Sequence, residues 1–311
     1  MGNDLRYALR TLARNRGFAA VAILSLALGI GANTAIFTVV DAVLLRWLPV
    51  RSPERLFVVA NVNLQGRPNP IWNYPDYSAF RDRNQSFDGL IAYSSTSPYG
   101  FSVQGESADT PASLAYGLLV SGNYFEVLGV QPALGRLLNQ EDDRKPGGGP
   151  YVVLGHNFWK QRFGGDPRVI GRVVHLNRYP LTIVGVSSSG FTGAEVGVAP
   201  DLFVPIMMRS ELTNYRQWNN RNNWWLYALG RLKPGVPQAQ AEAELYVINQ
   251  QQEAENRRTA VNPRFVNRAQ PIRLLPGAQG YSQLRNRLST PLVALMIVVG
   301  LVLLIACANV A

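Results

Sequence analysis

Two apolar runs without a charged residue bracket the chain, Phe18 to Val40 and Leu292 to Ala311. Each is long enough to cross a bilayer as a helix, because about 20 residues at ~1.5 Å rise span a ~30 Å hydrocarbon core. Between them, short apolar stretches alternate with Gly, Pro and Asn breaks, the pattern of a globular module.

The first run is too long for a cleaved secretory signal, whose apolar region is about 7–15 residues, and no small-x-small exit follows it. It predicts a retained transmembrane helix over 18–46. Before it, Leu5, Leu9 and Leu12 share one helical face and Arg6, Arg10 and Arg14 another. That spacing predicts a basic amphipathic helix over 1–17, lying on the membrane with its N-terminus cytoplasmic. The module, about 49–285, is then periplasmic or extracellular. Arg285 and Arg287 argue for the opposite orientation, but long translocated loops largely escape the positive-inside rule. The second transmembrane helix is expected over 288–311, opened by Pro291. No basic residue follows it, so the chain is expected to be an N-terminal fragment, cut inside or just past this span.

Within the first span Ser25, Gly29, Ala32 and Asn33 share a face. Small residues four apart let a second helix approach closely, so these four are the candidate helix-packing face. A substrate route lined by Asn33 and Thr34 is the sharper reading; close packing with one hydrogen bond is preferred.

Along the module, strands are expected at 56–60, 90–93, 112–120, 151–154, 201–205, 224–232 and 271–275. A hairpin is expected from 172–176 and 181–186, turning at Asn177-Arg178. Helices are expected at 74–83 with Pro75 in the first turn, at 124–128 ending on Gly129, at 157–163, and at 237–255. The last carries an apolar stripe of Ala241, Leu245 and Ile248. Strand–helix–strand halves flanking a β-rich middle make this an α+β periplasmic module between two transmembrane helices.

The net charge of +10 invites nucleic acid, yet the arginines are scattered, and an electrostatic footprint needs clustering. Nucleic acid is therefore excluded, and attraction to anionic membrane lipids is expected. Cys307 is the only cysteine and lies in the second run, which excludes a disulfide scaffold and a Cys-based zinc site. The two histidines, His156 and His175, fit a cap or packing residue and a half-exposed strand residue. No G-x-S-x-G elbow exists. Glu141-Asp142-Asp143 lacks the ligand spacing of a calcium loop and is expected to be solvated. Gly147-Gly148-Gly149 lacks the Lys-Ser/Thr of a P-loop and is expected to be a flexible linker. Trp218, Trp224, Trp225 and Tyr227 fit either a binding wall or a core edge. No catalytic, metal or cofactor-binding residue emerges, and no enzyme activity is expected.

Several runs together carry a resemblance: Asp4 to Arg10, Leu28 to Phe37, Tyr124 to Arg136, Phe158 to Pro167, Val169 to Arg172, Gly230 to Gly235, and Leu304 to Ala311. The chain resembles the MacB-like, FtsX-type ABC transporter permeases, including their orphan duplicated-permease type. The resemblance implies a periplasmic core domain of two subdomains, 54–133 with 222–276, and an inserted 134–221. It further implies a multi-pass protein of the bacterial inner membrane, dimeric or paired with a second permease unit. A separate cytoplasmic ABC ATPase would bind the ATP, since the sequence has no Walker A run. The expected function is export or mechanotransmission through the periplasmic domain. The alternative is a membrane-anchored periplasmic sensor or scaffold; a tethered hydrolase is a distant third.

Overall fold

The computed structural model describes residues 16–63, 65–106, 113–195, 199–259 and 269–310. The helix expected over 1–17 lies, but for its last two residues, outside them. The chain divides into two units, 1–46 with 282–311, and 47–281.

The first unit is a pair of helices, α1 (Arg16–Val40) and α7 (Gln283–Val310). α1 continues into a wider helical turn at Asp41–Leu45, closed by Arg46 N–H donating to the Asp41 carbonyl at 2.9 Å. Pro291 does not open α7 but sits inside it, two turns from the start. A proline ring is tolerated within an apolar helix where neighbours and local adjustment satisfy the freed carbonyl. Both helices contain a segment long and apolar enough to cross a membrane, Ile23–Val40 and Arg287–Ala308.

The second unit is α+β. Four strands form an antiparallel sheet in the order β4 (Phe87–Tyr93), β12 (Leu226–Leu232), β1 (Leu56–Val62), β13 (Ile272–Pro276). The sheet is covered on both faces. Val59 points into a core with Tyr77 and Phe80 of α2 (Tyr74–Arg83) and with Ala241, Leu245 and Ile248 of α6 (Gln238–Thr259). Leu56 and Val58 point the other way, into a core with Tyr124, Phe125 and Leu128 of α3 (Tyr124–Leu128). The period-2 alternation of a strand thus feeds two cores at once.

Six of the remaining strands close on themselves. β5 (Ser97–Val103), β6 (Ser113–Val120), β11 (Leu202–Pro205), β8 (Tyr151–Leu154), β10 (Tyr179–Ser187) and β9 (Val173–Leu176) pair in that order, and β9 returns to β5. Closure leaves this ring without a free edge. It meets the open sheet through one residue pair, Tyr93 opposite Val120. The 97–120 hairpin therefore pairs with strands from 134–221, through β9 and β11.

Strand β5 is absent from the sequence expectation, because Pro98 and Gly100 argue against a strand. Its buried Tyr99, Phe101 and Val103 alternate with less buried neighbours and carry the pairing. The 147–149 glycines are also corrected. Gly147 N–H donates to the Met207 carbonyl at 2.9 Å, and a Cβ on Gly149 would stand 1.9 Å from the Asp142 carbonyl oxygen. Gly147 and Gly149 belong to a packed turn, and Gly149 has no room for a side chain, so the run is not a flexible linker.

Candidate functional site

The second unit is entered at Trp47 and left at Tyr281, and both connections meet at one root. β1 and β13 are antiparallel neighbours, with Phe57 opposite Pro276. The start of one therefore lies beside the end of the other. Leu48, 4 % exposed, belongs to the core under α3, and its N–H donates to the Ala278 carbonyl at 2.8 Å. Gly277 N–H donates to the Leu56 carbonyl, also at 2.8 Å. The incoming and outgoing segments are thus hydrogen-bonded to each other.

α3 supplies the third member. Its C-terminus is capped by Gly129 at φ 74, and a Cβ there would lie 2.7 Å from the Arg51 Cβ. Glycine takes the left-handed conformation without strain and lets the entering chain pass close by. Arg51 N–H then donates to the Leu128 carbonyl at 3.0 Å.

Arg231 of β12 locks these parts together. It is buried among apolar neighbours in a strand whose every residue is buried. Its Nε and Nη2 donate to the Val127 carbonyl at 3.1 and 2.9 Å, and its Nη1 donates to the Ser52 carbonyl at 2.7 Å. Ser52 holds the left-handed conformation at φ 42, which brings that carbonyl round. A cation at the carbonyl end of α3 also suits the direction of the peptide dipoles. Desolvation, and then repulsion from Arg51 and Arg55, lowers the Arg231 pKa. Arg55 reaches the next carbonyl along, donating to Leu232 through Nε at 2.8 Å, and pairs with Asp88 at 2.5 Å.

A second joint links the sheet side to the ring. Asp143 is buried, and its carboxylate accepts from Gly122 N–H at 3.1 Å and from Met207 N–H at 2.9 Å. It thereby ties the turn before α3 to the segment after β11. Burial pushes its carboxyl up to about 6, outweighing those two bonds. Its neighbour Asp142 is also buried and forms a two-pronged ion pair with Arg136 at 2.6 and 2.9 Å. The expected solvated acidic loop is therefore corrected at two of its three positions. Arg136 lies only six residues before Asp142, whereas the partners of Asp143 come from other parts of the chain.

The helix-packing candidates lie in the first unit. Gly29 is buried, and a Cβ there would meet the Leu303 Cδ1 at 3.1 Å. Asn33 Nδ2 donates to the Val299 carbonyl at 3.3 Å and to Gly29 at 3.2 Å. Ser25 is half-buried, and Ala32 is exposed. The pairs 29 with 303 and 33 with 299 fix an antiparallel register, one turn per step. One turn further, Ser25 falls opposite Cys307. A Ser25→Cys variant should therefore be joined to Cys307 within one chain by a short thiol-to-thiol crosslinker. Leu24→Cys, on the exposed side, should not be joined. Mass spectrometry of the crosslinked peptides checks both.

The aromatics do not make a single wall. Trp218 packs edge-on against Tyr74 and Trp224 stacks on Trp72, while Trp225 lies under the Arg209 guanidinium at 3.7 Å. Tyr227 is buried between Tyr93 and Tyr281. His156 is the first residue of α4 (His156–Phe163), packed on Trp159, with Gly155 at the cap position. His175 is a half-buried residue of β9, opposite Pro180 and Ser102. The root residues were missed as a site; Arg231 stood in the sequence as one of the scattered arginines and as part of a resembling run.

Comparison with known proteins then places the chain. Residues 19–246 match the family model of the MacB-like periplasmic core domain. The chain belongs to that family. It is similar to the macrolide export ATP-binding/permease protein MacB of Shigella dysenteriae, 27% identical over 255 residues, 78% of this chain and 36% of that protein. It is also 35% identical over 69 residues to the probable syringafactin export ATP-binding/permease protein SyfD of Pseudomonas syringae, 22% of this chain and 10% of that one. The matches thus span about a third or less of these relatives' lengths. Among solved structures, the periplasmic region of MacB from Actinobacillus actinomycetemcomitans aligns at TM-score 0.50 and 15% identity, covering 73% of this chain and 90% of that one. A domain of a Porphyromonas gingivalis permease aligns at TM-score 0.50 and 16% identity, covering 77% and 98%. Both likenesses extend to the α+β fold.

Proposed function

We propose that this chain is a permease component of an ABC-type transporter, with its module on the periplasmic face of a bacterial inner membrane. The N-terminus is cytoplasmic, the two apolar helices cross the membrane, and Ser25, Gly29 and Asn33 of the expected face pack between helices, with Ala32 left exposed beside them. An ATPase subunit on the cytoplasmic side binds and hydrolyses ATP. The chain itself works without catalytic chemistry, as one half of a dimer or beside a second permease unit, in contact with membrane lipids.

The observation that carries this reading is the root. Entry and exit strands are neighbours, bonded to each other, and Arg231 clamps the entry segment to α3. A shift of either connection reaches the sheet through that clamp, and the ring through the Asp143 joint. Switching of this kind needs bistable packing between bodies rather than reactive side chains.

Isolating the full protein after crosslinking in its native membrane tests the proposal. An ABC ATPase should be recovered with it, and its ATP turnover should rise in the protein's presence. Recovery of envelope or signalling proteins without any ATPase would favour the sensor or scaffold instead.

A further inference from the structure

A cavity of about 230 Å³ opens between β1, α2 and α6, at the Asn61 end of β1, whereas the root lies at its Leu56 end. Its walls include Asn61, Asn249, Asp76, Glu253, Trp72 and Trp224. The two tryptophans are stacked, with ring centres 6.1 Å apart and planes 25° from parallel. Trp72 is fully buried and fixed by Nε1 donating to the Val59 carbonyl at 2.7 Å, whereas Trp224 is 40% exposed. A braced, accessible indole face is a platform rather than a core residue.

The polar lining is equally unusual. Asn61 is 4% exposed, and its Nδ2 has no hydrogen-bond partner among the described residues; the same holds for Glu253 Oε2. An unmet donor and an unmet acceptor in one cavity suit a ligand that both donates and accepts, because leaving buried polar groups unpaired is costly. Asp76 is already engaged, by Arg221 Nη1 at 2.7 Å and by Asn73 Nδ2 at 2.6 Å. With Arg221 set against the two carboxylates, no strong net charge selects an ion.

We infer that this cavity binds one ring of a neutral sugar, with Trp224 as the stacking platform and Asn61, Asn249 and Glu253 meeting its hydroxyls. A pyranose ring presents polarised C–H groups on its face, which suit the negative face of an indole. Its hydroxyls each donate and accept, which suits planar amides and carboxylates. The volume is below the ~300–1,000 Å³ of drug-sized sites, so a single ring fits and a large macrocycle does not. The inference stands apart from transport and from any ATPase.

Calorimetry and tryptophan fluorescence on the full chain in lipid nanodiscs test it, with methyl β-glucoside, N-acetylglucosamine and maltose as probes and tetramethylammonium as the cationic control. At least one sugar should saturate, and Trp224→Ala should weaken it about tenfold or more with an unchanged melting temperature. Glu253→Gln, which keeps a polar planar group, should change sugar affinity by less than about threefold. Saturation by none of the sugars would overturn the inference. So would equal affinity in Trp224→Ala, or tighter binding of tetramethylammonium than of every sugar.

Discussion

Replacing Arg231 with alanine should destabilise the module by roughly 3 kcal/mol, the largest effect expected of any single side chain at the root. The change removes three charge-assisted hydrogen bonds and leaves the Val127 and Ser52 carbonyls without those donors. Hydrogen bonds to charged groups are worth about 1.5–3 kcal/mol each, and a buried carbonyl left unpaired costs its desolvation besides. Part of that loss is offset, because burial and the nearby Arg51 and Arg55 already disfavour the charged guanidinium. Arg231→Met fills the space but supplies no donor, so it should recover only the packing part. Arg231→Lys keeps the charge without the planar fork that spans two carbonyls, and should fall between. Urea denaturation of the purified protein, followed by tryptophan fluorescence, reads all three. A loss below about 1 kcal/mol for alanine would mean that the clamp is not what holds the entry segment.

The second large effect concerns pH. Asp143 titrates near 6 in the folded protein against an ordinary value of 3.8, because burial disfavours its charged form. Between those values the native state holds a proton that the unfolded chain has released. Its contribution to stability is fully present below about 4 and is lost as pH rises through about 6. From this group alone, stability should rise on acidification from pH 7 to pH 4, by on the order of 3 kcal/mol. Asp76, Glu195, Asp201 and Glu253 are shifted upward by burial too and act in the same sense, whereas Glu106 and Glu242 are lowered and act against it. The informative quantity is therefore the difference in pH slope between the protein and Asp143→Asn. The amide cannot titrate, so that slope should flatten between pH 4 and pH 6. Its absolute stability should drop, since one amide face would set N–H against the N–H of Gly122 or Met207. Identical slopes in the two proteins would contradict the assignment.

Those two residues mark the boundary of what the sequence discloses. Elements whose signals are local were legible: Pro75 in the first turn of α2, Gly129 closing α3, and the apolar stripe Ala241, Leu245, Ile248 of α6 all stand where the pattern puts them. The α+β class follows from those elements. The family was readable from the spacing of several short runs, none decisive alone. What stayed hidden depends on distant partners. Strand β5 is marked against by its own Pro98 and Gly100, and forms because β6 and β9 flank it. Closure of the ring through β6 and β11 joins residues 117–120 to 202–205, which no local period encodes. Asp143 looks solvated until Gly122 and Met207, 21 and 64 residues away, are brought to it. Arg231 is an arginine in an otherwise apolar strand. That oddity was the one signal available for the root, and the carbonyls that explain it lie more than a hundred residues away.

The proposed transmission of motion through the root is open to one direct measurement, amide hydrogen exchange on the full protein together with the ATPase recovered by crosslinking, nucleotide-free and with ATP bound. Exchange follows local opening, so it reads the hydrogen bonds of the root individually. The N–H groups of Leu48, Arg51 and Gly277 should change protection between the two states, while those of β8 and β9 inside the ring should not. Unchanged protection at all three root amides, in a complex that hydrolyses ATP, would contradict transmission through this joint.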